Sequence, residues 1–465
     1  MNYKIIKKKK IKRLVKKRWV LGFFPIEIFD WLKRKQVYSI GTFITILLIL
    51  SPITIWLFNN PESIQNPLIG LAKLNAFLAI STLSVNFILS TRLKILENLF
   101  HGLDRMYRVH KIVGRISLLF MILHPIFLII SSIPNTDVII SYIIPIGPIE
   151  VSYGIIALYI FLFLISLTVA INMPYHWWHN SHKILGFVLI FGVFHAVFAG
   201  SDISNYPILR IWVITIAAVG VISWIYMSIF YKKFGPRFEI TLSKVNHLKN
   251  VTDLYFKRPK DFNFQPGQFL FIRFPRFEGN KELFPFSISN DPSQKILRIS
   301  IKRVGDYTQK KIPLLKNGDK AIIMGPYGKF GEKYLKHEHD MIWIAGGIGI
   351  TPFLSLAKHE SLYPTGRKIK LIWVTKNISD AFHDKELHAE SGKNSNFQYI
   401  HWFSEEKGRI KIDDIISILK DKNELKRRLI FICGPPGMTY SLCKDFRKMK
   451  ISYSNIIFED FNMLD

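Results

Sequence analysis

Four histidines stand in stretches that otherwise read as lipid-facing or core. Residues 109–125 are VHKIVGRISLLFMILHP and residues 181–197 are SHKILGFVLIFGVFHAV, so His-Lys-Ile-x-Gly, an apolar run and a second His occur twice. A polar side chain in such a place needs a partner and marks a functional site. His124 lies 14 residues beyond His110, and His195 lies 13 beyond His182; at the α-helical rise these separations are about 21 and about 19.5 Å. Two parallel helices would present one His each at an inner level and one each at an outer level. Two neutral imidazoles facing across a gap are what a six-coordinate haem iron needs. His110 with His182, and His124 with His195, would then hold two haems stacked across a bilayer. Buried histidines bonded within a core are the alternative, and the matched pairing inside a repeated motif counts against it. The phases conflict, however. At about 100° per residue, 14 residues return to within about 40° of one face, whereas 13 miss it by about 140°. The helix carrying His182 and His195 is therefore expected to be distorted, by a π-bulge near Gly186 or Gly192, or else the two haems sit at different azimuths.

These histidines need spans to hold them. Six apolar runs, near 38–58, 67–90, 109–131, 149–172, 180–199 and 207–230, are long enough to cross about 30 Å of hydrocarbon. TRLKILENLFHGLDRMYR (91–108) and YKKFGPR (231–237) are basic, whereas 59–67 and 132–150 hold no Lys or Arg. Cationic loops remain cytosolic, so both termini are expected in the cytoplasm and spans three and five run in the same direction. Lys111, Lys183, Arg108 and Arg115 gather at the inner level, where they could neutralise haem propionates; topology alone would also put cations there. Lys73 and Arg210 are the outer-face cations, suited to outer propionates, an anionic acceptor or simple snorkelling.

The chain has 465 residues, a net charge of +29 and two cysteines, Cys433 and Cys443. Two cysteines exclude a disulfide framework and a Cys-ligated zinc or iron–sulfur site, and fit a module facing a reducing compartment. The segment 1–36 carries 13 Lys and Arg. Its juxtamembrane position favours contact with anionic lipid over nucleic acid, either as an interfacial amphipathic helix or as a solvated basic tail. No short apolar region with a small-residue cleavage site marks a signal peptide.

From 236 onward the pattern changes. FEITLSKV, LYFKRP, FLFIRF, ILRISIKRV and KAIIMGPYG are short alternating strands, suited to a small antiparallel barrel. MIWIAGGIGITPFLSLAKH reads as strand, glycine turn and helix, and KIKLIWVTKN and RLIFICGPPGM add buried strands of a parallel, doubly wound sheet. Gly346, Gly347 and Gly349 would let amides at a helix N-terminus approach phosphate, although a tight structural turn needs glycine as well.

FQPGQF (264–269), LFPFSIS (283–289), IKRVGDYT (301–308), GPYGKF (325–330), GGIGITPF (346–353) and CGPPGM (433–438) occur in the order and spacing of the ferredoxin–NADP⁺ reductase-type module. With the six paired-His spans, the chain resembles the NADPH oxidase and ferric reductase superfamily in its prokaryotic form. That resemblance covers nearly the whole chain from about residue 37, beyond the basic membrane-surface segment 1–36, and implies a six-helix di-haem membrane domain over 37–231, an FAD-binding antiparallel β-barrel domain over 236–333 and an α/β NAD(P)H-binding domain over 338–465. It implies that Pro285, Phe286 and Ser287 line the flavin ring and that Lys302, Gly305 and Thr308 lie at the FAD pyrophosphate. Gly346, Gly347, Gly349, Thr351 and Pro352 would hold the nucleotide's phosphates, with Cys433, Gly434 and Pro435 beside the nicotinamide. Where the family usually has His before Pro-Phe-Ser, this chain has Phe284. Phe461 would cover the flavin, although the family's terminal aromatic is here followed by four more residues. Lys376, at the end of the second nucleotide-domain strand with no acidic residue there, favours NADPH over NADH, and Arg409 is a second candidate.

The expected path runs from NAD(P)H to FAD, the inner haem, the outer haem and a small extracytoplasmic acceptor. A flavin is needed because hydride transfer delivers two electrons while haem iron takes one. Dioxygen, giving superoxide, and a ferric chelate compete as acceptors, with a quinone or periplasmic partner as a third. A transporter or proton channel with relay histidines, and a reductase merely tethered by its spans, are the rivals. The reductase motifs oppose the first and the His pairs oppose the second.

Overall fold

The computed structural model describes residues 39–459 apart from 60, 171–174, 278–282 and 421. The basic segment 1–36 and Phe461 lie outside the described residues. The chain divides into two units: residues up to 91 with 109–228, and residues 92–108 with 229 onward.

Among the described residues, six helical stretches are long and apolar enough to cross a membrane. They are α1 (Ile40–Phe58), α2 (Pro67–Leu89), a helix of Leu103–Ser131, one of Ile149–Ala170, a broken pair of Tyr175–Lys183 and Leu185–Phe198, and a last one opening at Pro207. Taking in chain order α3 as the short helix Lys94–Phe100, these become α4 (Leu103–Ser131), α5 (Ile149–Ala170), α6 (Tyr175–Lys183), α7 (Leu185–Phe198) and α8 (Pro207–Ile225). Asn66 caps α2 by accepting from the Leu68 and Ile69 amides, and Pro67 and Pro207 occupy first turns whose N–H groups have no helical acceptor. Within the first unit, Phe77 and Leu83 of α2, Phe161 of α5, Val188 and Leu189 of α7 and Val213 of α8 share one buried core. A Cβ on Gly220 of α8 would come within 2.9 Å of Ser84 Cα, so glycine permits α8 to lie against α2. Lys73 does not snorkel as a lone cation: its Nζ donates to Asp202 Oδ1 at 2.6 Å, and Trp56 Nε1 donates to Asp202 Oδ2 at 2.7 Å.

Two boundaries differ from those expected of the sequence. The third span begins at Leu103 rather than 109, because the polar stretch DRMYRVHK continues the helix without being apolar. The fifth is broken at Ile184, with three-residue hydrogen bonds from Ile184 to Ser181 and from Phe187 to Ile184. The carbonyl of Lys183 thereby leaves the helical ladder and accepts from Trp224 Nε1 at 2.7 Å. A Cβ on Gly186 would collide with that Trp224 indole. The expected distortion is thus a tight break beside Gly186 and not a π-bulge; the π-type turn lies instead at Tyr226–Phe230.

The second unit contains two sheets. β1 (Arg237–Leu248), β2 (Val251–Lys257), β3 (Phe269–Arg273), β4 (Phe284–Ser287), β5 (Ile296–Lys302) and β6 (Lys320–Tyr327) form an antiparallel sheet in the order β4-β3-β6-β1-β2-β5. A bridge from Ile288 to Ile299 joins its edges into a barrel, filled by Leu254, Phe256, Leu270, Leu297 and Ile299. β7 (Met341–Gly346), β8 (Ile369–Thr375), β9 (Phe397–Phe403), β10 (Leu429–Cys433) and β11 (Ile456–Glu459) pair in parallel in the order β11-β10-β7-β8-β9. That is the doubly wound order, with its switch point between β7 and β10. Trp343, Leu371 and Phe431 pack on one face of this sheet and Ile342, Ile344 and Ile432 on the other, which is why these strands read as unbroken apolar runs.

The segment 92–108, expected from sequence in the membrane domain, packs with the barrel instead. Lys94 Nζ donates to Pro326 O at 3.1 Å, and the Arg92 guanidinium lies over the Phe271 ring at 4.0 Å.

Candidate functional site: two histidine pairs and a nucleotide crevice

The first unit brings the four histidines together in the pairs expected. The His110 and His182 ring centres are 6.4 Å apart, and those of His124 and His195 are 6.2 Å apart. Backbone carbonyls of neighbouring helices orient three of them. His110 Nδ1–H donates to Asn86 O, His124 Nδ1–H to Ala72 O and His195 Nδ1–H to Glu150 O, each at 2.9 Å. A carbonyl can only accept, so Nδ1 carries the hydrogen and the lone pair of a neutral ring sits on Nε2, the arrangement of a metal-binding imidazole. The Trp178 ring stacks on His182 at 5.1 Å and 25°.

A metal–imidazole bond of about 2 Å on each side, plus roughly 1 Å from each nitrogen to its ring centre, gives about 6 Å between rings. Both pairs match that span. Among the described residues no cluster of three or more His, Cys, Asp or Glu side chains could hold a metal ion alone. A metal held between two imidazoles therefore takes its remaining ligands from elsewhere, as a porphyrin's four nitrogens would supply, and the residues fit haem. Two supports have no sequence signal. A Cβ on Gly154 would stand 2.7 Å from His195 Cγ, and one on Gly114 would stand 3.0 Å from Asn86 Nδ2, so both glycines make room at the pairs. Nothing in the chain marks them as different from other helix glycines. Gly192, a candidate distortion point by sequence, has open space around it. Arg108, grouped with the inner cations, lies 3.5 Å from Asp104 and faces the Phe458 ring.

In the second unit the glycine turn and CGPPGM meet at the switch point. A Cβ on Gly346 would stand 2.7 Å from Pro435 Cδ and from Met438 Cε, and one on Gly434 would stand 3.0 Å from Gly346 Cα. Met438 is thus a further member of the crevice, beyond those the motifs name. Gly347 has φ +53° and its carbonyl accepts from Trp373 Nε1 at 2.9 Å. Thr351 and Pro352 open α9 (Thr351–Leu362). Cys433 is wholly buried in the sheet core, in register with Ala345 and Glu459. Lys302, expected at a pyrophosphate, ends β5 with Nζ 3.9 Å from the position of a Gly347 Cβ, so it reaches the nucleotide turn. Lys376 and Arg409 are both exposed. An acidic residue does stand nearby: Glu405, whose carboxylate accepts from Asn377 Nδ2 at 2.8 Å.

On the barrel side, Pro285, Phe286 and Ser287 lie on β4, paired with Phe271, Leu270 and Phe269. Phe284 stacks on Tyr307 at 4.2 Å and 22°, fastening this strip to the Gly305–Thr308 segment. Thr308 Oγ1 accepts from the Val304 and Gly305 amides, each at 3.0 Å. Ser287 Oγ and Glu459 Oε2 are buried without hydrogen-bond partners. Such orphaned polar atoms fit a bound polar group beside β4 and β11, which is where the flavin is expected. Burial pushes the Glu459 carboxyl well above the usual carboxylate range, with Asp104 and Glu97 adding to the rise. Glu97, wholly buried, accepts from the Gly328 amide at 2.5 Å and is paired with Lys94 at 2.7 Å. In FEDF the motif points to Phe461 alone, and nothing in it distinguishes Glu459.

A helical bundle with paired imidazoles, a barrel and a doubly wound sheet define a multi-pass membrane oxidoreductase. Residues 75–193 match the ferric reductase like transmembrane component, 237–331 an FAD-binding domain and 343–444 the oxidoreductase NAD-binding domain. The chain is 25% identical over 325 residues to a superoxide-generating NADPH oxidase heavy chain of Dictyostelium discoideum, covering 57% of this chain and 60% of that one. It is 28% identical over 240 residues to flavohemoprotein A of the same organism, covering 48% and 59%. With dual oxidase 2 of Sus scrofa the figure is 26% over 323 residues, covering 58% and 20%. The chain thus spans three fifths or less of the length of these curated relatives. Among solved structures, the ferredoxin NADP⁺ reductase from Neisseria gonorrhoeae aligns at 18% identity and TM-score 0.42, over 48% of this chain and 98% of that one.

Proposed function

We propose that this chain carries electrons from cytosolic NAD(P)H, through FAD and two b-type haems, to dioxygen on the far side of the membrane, giving superoxide. The observation that carries the proposal is the two facing histidine pairs, 6.4 and 6.2 Å between ring centres, with three Nδ1 atoms tied to backbone carbonyls. Both termini lie in the cytoplasm on this reading. In the overall balance, one NAD(P)H loses a hydride to become NAD(P)⁺, its two electrons leave singly to two molecules of dioxygen, and one proton stays behind.

Bound flavin supplies the conversion between a two-electron donor and one-electron acceptors; bound haem supplies one-electron carriage across the lipid. The protein supplies position and dryness. Pro285, Phe286 and Ser287 line the flavin ring, and Lys302, Gly305 and Thr308 serve its phosphates, with Lys302 also within reach of the nucleotide turn. Gly346, Gly347, Gly349, Thr351 and Pro352 admit the nucleotide phosphates to the α9 N-terminus. Cys433, Gly434 and Pro435 set the nicotinamide's place through the backbone, and Phe461, outside the described residues, would serve as the flavin's cover. Lys376 and Arg409 read the 2′-phosphate of NADPH, with NADH also accepted. His110 with His182 and His124 with His195 would each hold one haem iron, which would supply one-electron carriage across the lipid.

The ferric-reductase-like match over residues 75–193 favours one second reading, a ferric chelate as acceptor with the same electron path. Oxidation of NADPH by the purified chain, followed with superoxide dismutase-sensitive cytochrome c and in parallel with ferric citrate, separates the two. Superoxide without faster turnover on ferric citrate supports oxygen; the reverse assigns the chelate.

A further inference from the structure

A polar cluster joins the barrel to the nucleotide sheet away from the crevice. Arg298 on β5 reaches Glu386 on α10 (Asp384–Ser391) with two hydrogen bonds, Nη1 to Oε2 at 2.9 Å and Nη2 to Oε1 at 2.8 Å. The same guanidinium holds its own lobe through Ser289 O at 2.6 Å. His383, just before α10, puts Nδ1 3.0 Å from Glu386 Oε2 and Nε2 3.3 Å from Asp253 Oδ1 on β2. The latter is an ion-pair distance, and Asp253 Oδ1 has no hydrogen-bond donor. Ser300 Oγ stands 3.3 Å from His383 Nε2, and Tyr255 faces the same charges. Asp253, Arg298 and His383 are buried.

The charge count is uneven. Asp253 and Glu386 carry two negative charges and Arg298 one positive, so a neutral imidazole leaves one uncompensated buried charge and a protonated one leaves none. An unpaired buried charge loosens whatever encloses it. Here the enclosure is the contact between the two lobes that must hold flavin and nicotinamide together. The cavity lined by Phe382, His383, Asp384, Lys385 and Glu386 gives solvent access for proton exchange.

We propose that the Arg298–Glu386–His383–Asp253 cluster positions the nucleotide lobe against the flavin lobe for hydride transfer, and that it closes when His383 takes up a proton. This rests on the hydride-transfer reading above. Burial by itself would lower the His383 pKa; Asp253 and Glu386 outweigh it, and the net shift is upward. The closed arrangement is therefore complete below the ordinary histidine value of about 6.5 and is lost as pH rises through the higher folded-state value. Burial works against the Glu386 charge too, yet His383 and Arg298 hold that carboxyl down to about 2, so it stays ionised throughout.

The test is anaerobic stopped-flow reduction of the flavin by saturating NADPH, in the full-length detergent-purified chain, from mildly acid to mildly alkaline pH. Wild type should show a rate that falls with rising pH, with a limiting slope of about one decade per pH unit for one group. His383→Gln keeps the surplus negative charge at every pH and should sit on the low, alkaline plateau throughout. Asp253→Asn removes that surplus and should hold the high, acid plateau. Opposite plateaus are something a merely structural cluster would not give. Hydrogen exchange of the α10 amides, corrected for intrinsic rates, reads the same closure without turnover: protection lost with pH in wild type and retained in Asp253→Asn. A wild-type inflection surviving in either variant, or two low plateaus, overturns the proposal. A chain that neither NADPH nor NADH reduces would overturn the functional reading instead, while exchange still decides the cluster.

Discussion

Gly349→Ala is the substitution whose effect the nucleotide crevice fixes most tightly. A Cβ at this position would stand 2.5 Å from the Cys433 carbonyl carbon and 2.8 Å from Gly434 Cα. Carbon atoms rest comfortably at about 3.5–4.0 Å, so about 1 Å of displacement is required. Both obstacles are backbone of β10 and its turn, and neither can rotate away. Overpacking costs typically about 1–3 kcal/mol, and a rigid neighbour places this case at the upper end. If that cost falls on the nucleotide site, the dissociation constant for NADPH rises about 100-fold. Two neighbouring glycines calibrate the claim. Gly347→Ala has room beside it but must keep φ +53°, a cost of about 1–2 kcal/mol and roughly tenfold in affinity. Gly437→Ala meets nothing within 4 Å and should stay within about 0.5 kcal/mol of wild type. Anaerobic titration of flavin reduction against NADPH concentration, with a thermal melt of each variant, measures all three. Wild-type affinity and melting for Gly349→Ala, or Gly437→Ala as damaging as Gly349→Ala, would refute the reasoning.

Gly154→Ala should displace His195 while leaving all four histidines in the chain; the absorbance of the outer haem should fall and that of the inner one remain. Lys73→Ala removes the cation paired with the buried Asp202 carboxylate. Breaking such a pair costs about 3–5 kcal/mol when fully buried, and because Lys73 is a quarter exposed the lower end is expected in a denaturation measurement. Glu459→Gln bears on pH. The folded carboxyl titrates well above the unfolded one, so stability is fully present below the unfolded value. It is lost as pH rises toward the folded value, with a slope of up to about 1.4 kcal/mol per pH unit. The Gln variant should lose that slope in melts taken across mildly acid to neutral pH; an unchanged slope would rule the assignment out.

The histidine pairs are legible because a repeated motif in apolar sequence records a shared depth, and depth survives without knowledge of packing. Their azimuth is not. The break at Ile184 depends on Trp224 capping the Lys183 carbonyl 41 positions away, and no local pattern carries that contact. The parallel sheet is legible from its unbroken apolar strands, and the juxtaposition of GGIGITP with CGPPGM follows from the doubly wound order once β7 and β10 are neighbours. Glu97 and the rest of 92–108 read as an ordinary basic loop. Glu97's partner, the Gly328 amide, lies 231 positions on, so a buried carboxylate in that loop has no signature. The motif around Lys302 points to the flavin phosphates, whereas its reach to Gly347 is visible only when the barrel and the sheet stand side by side. Glu405 is hidden because it follows β9, although its Asn377 contact brings it to the end of β8.

The central claim is that nicotinamide electrons reach two bis-histidine haems in sequence. The most direct test is the absorbance spectrum of the purified full-length chain, reconstituted with FAD in nanodiscs, before and after anaerobic NADPH. Wild type should contain two haems per chain, both reduced by NADPH. His124→Ala should lose one haem and keep an inner haem that NADPH still reduces, while His110→Ala should leave an outer haem that NADPH cannot reach. A chain without haem, or loss of the same spectral component in His110→Ala and His124→Ala, would contradict the account.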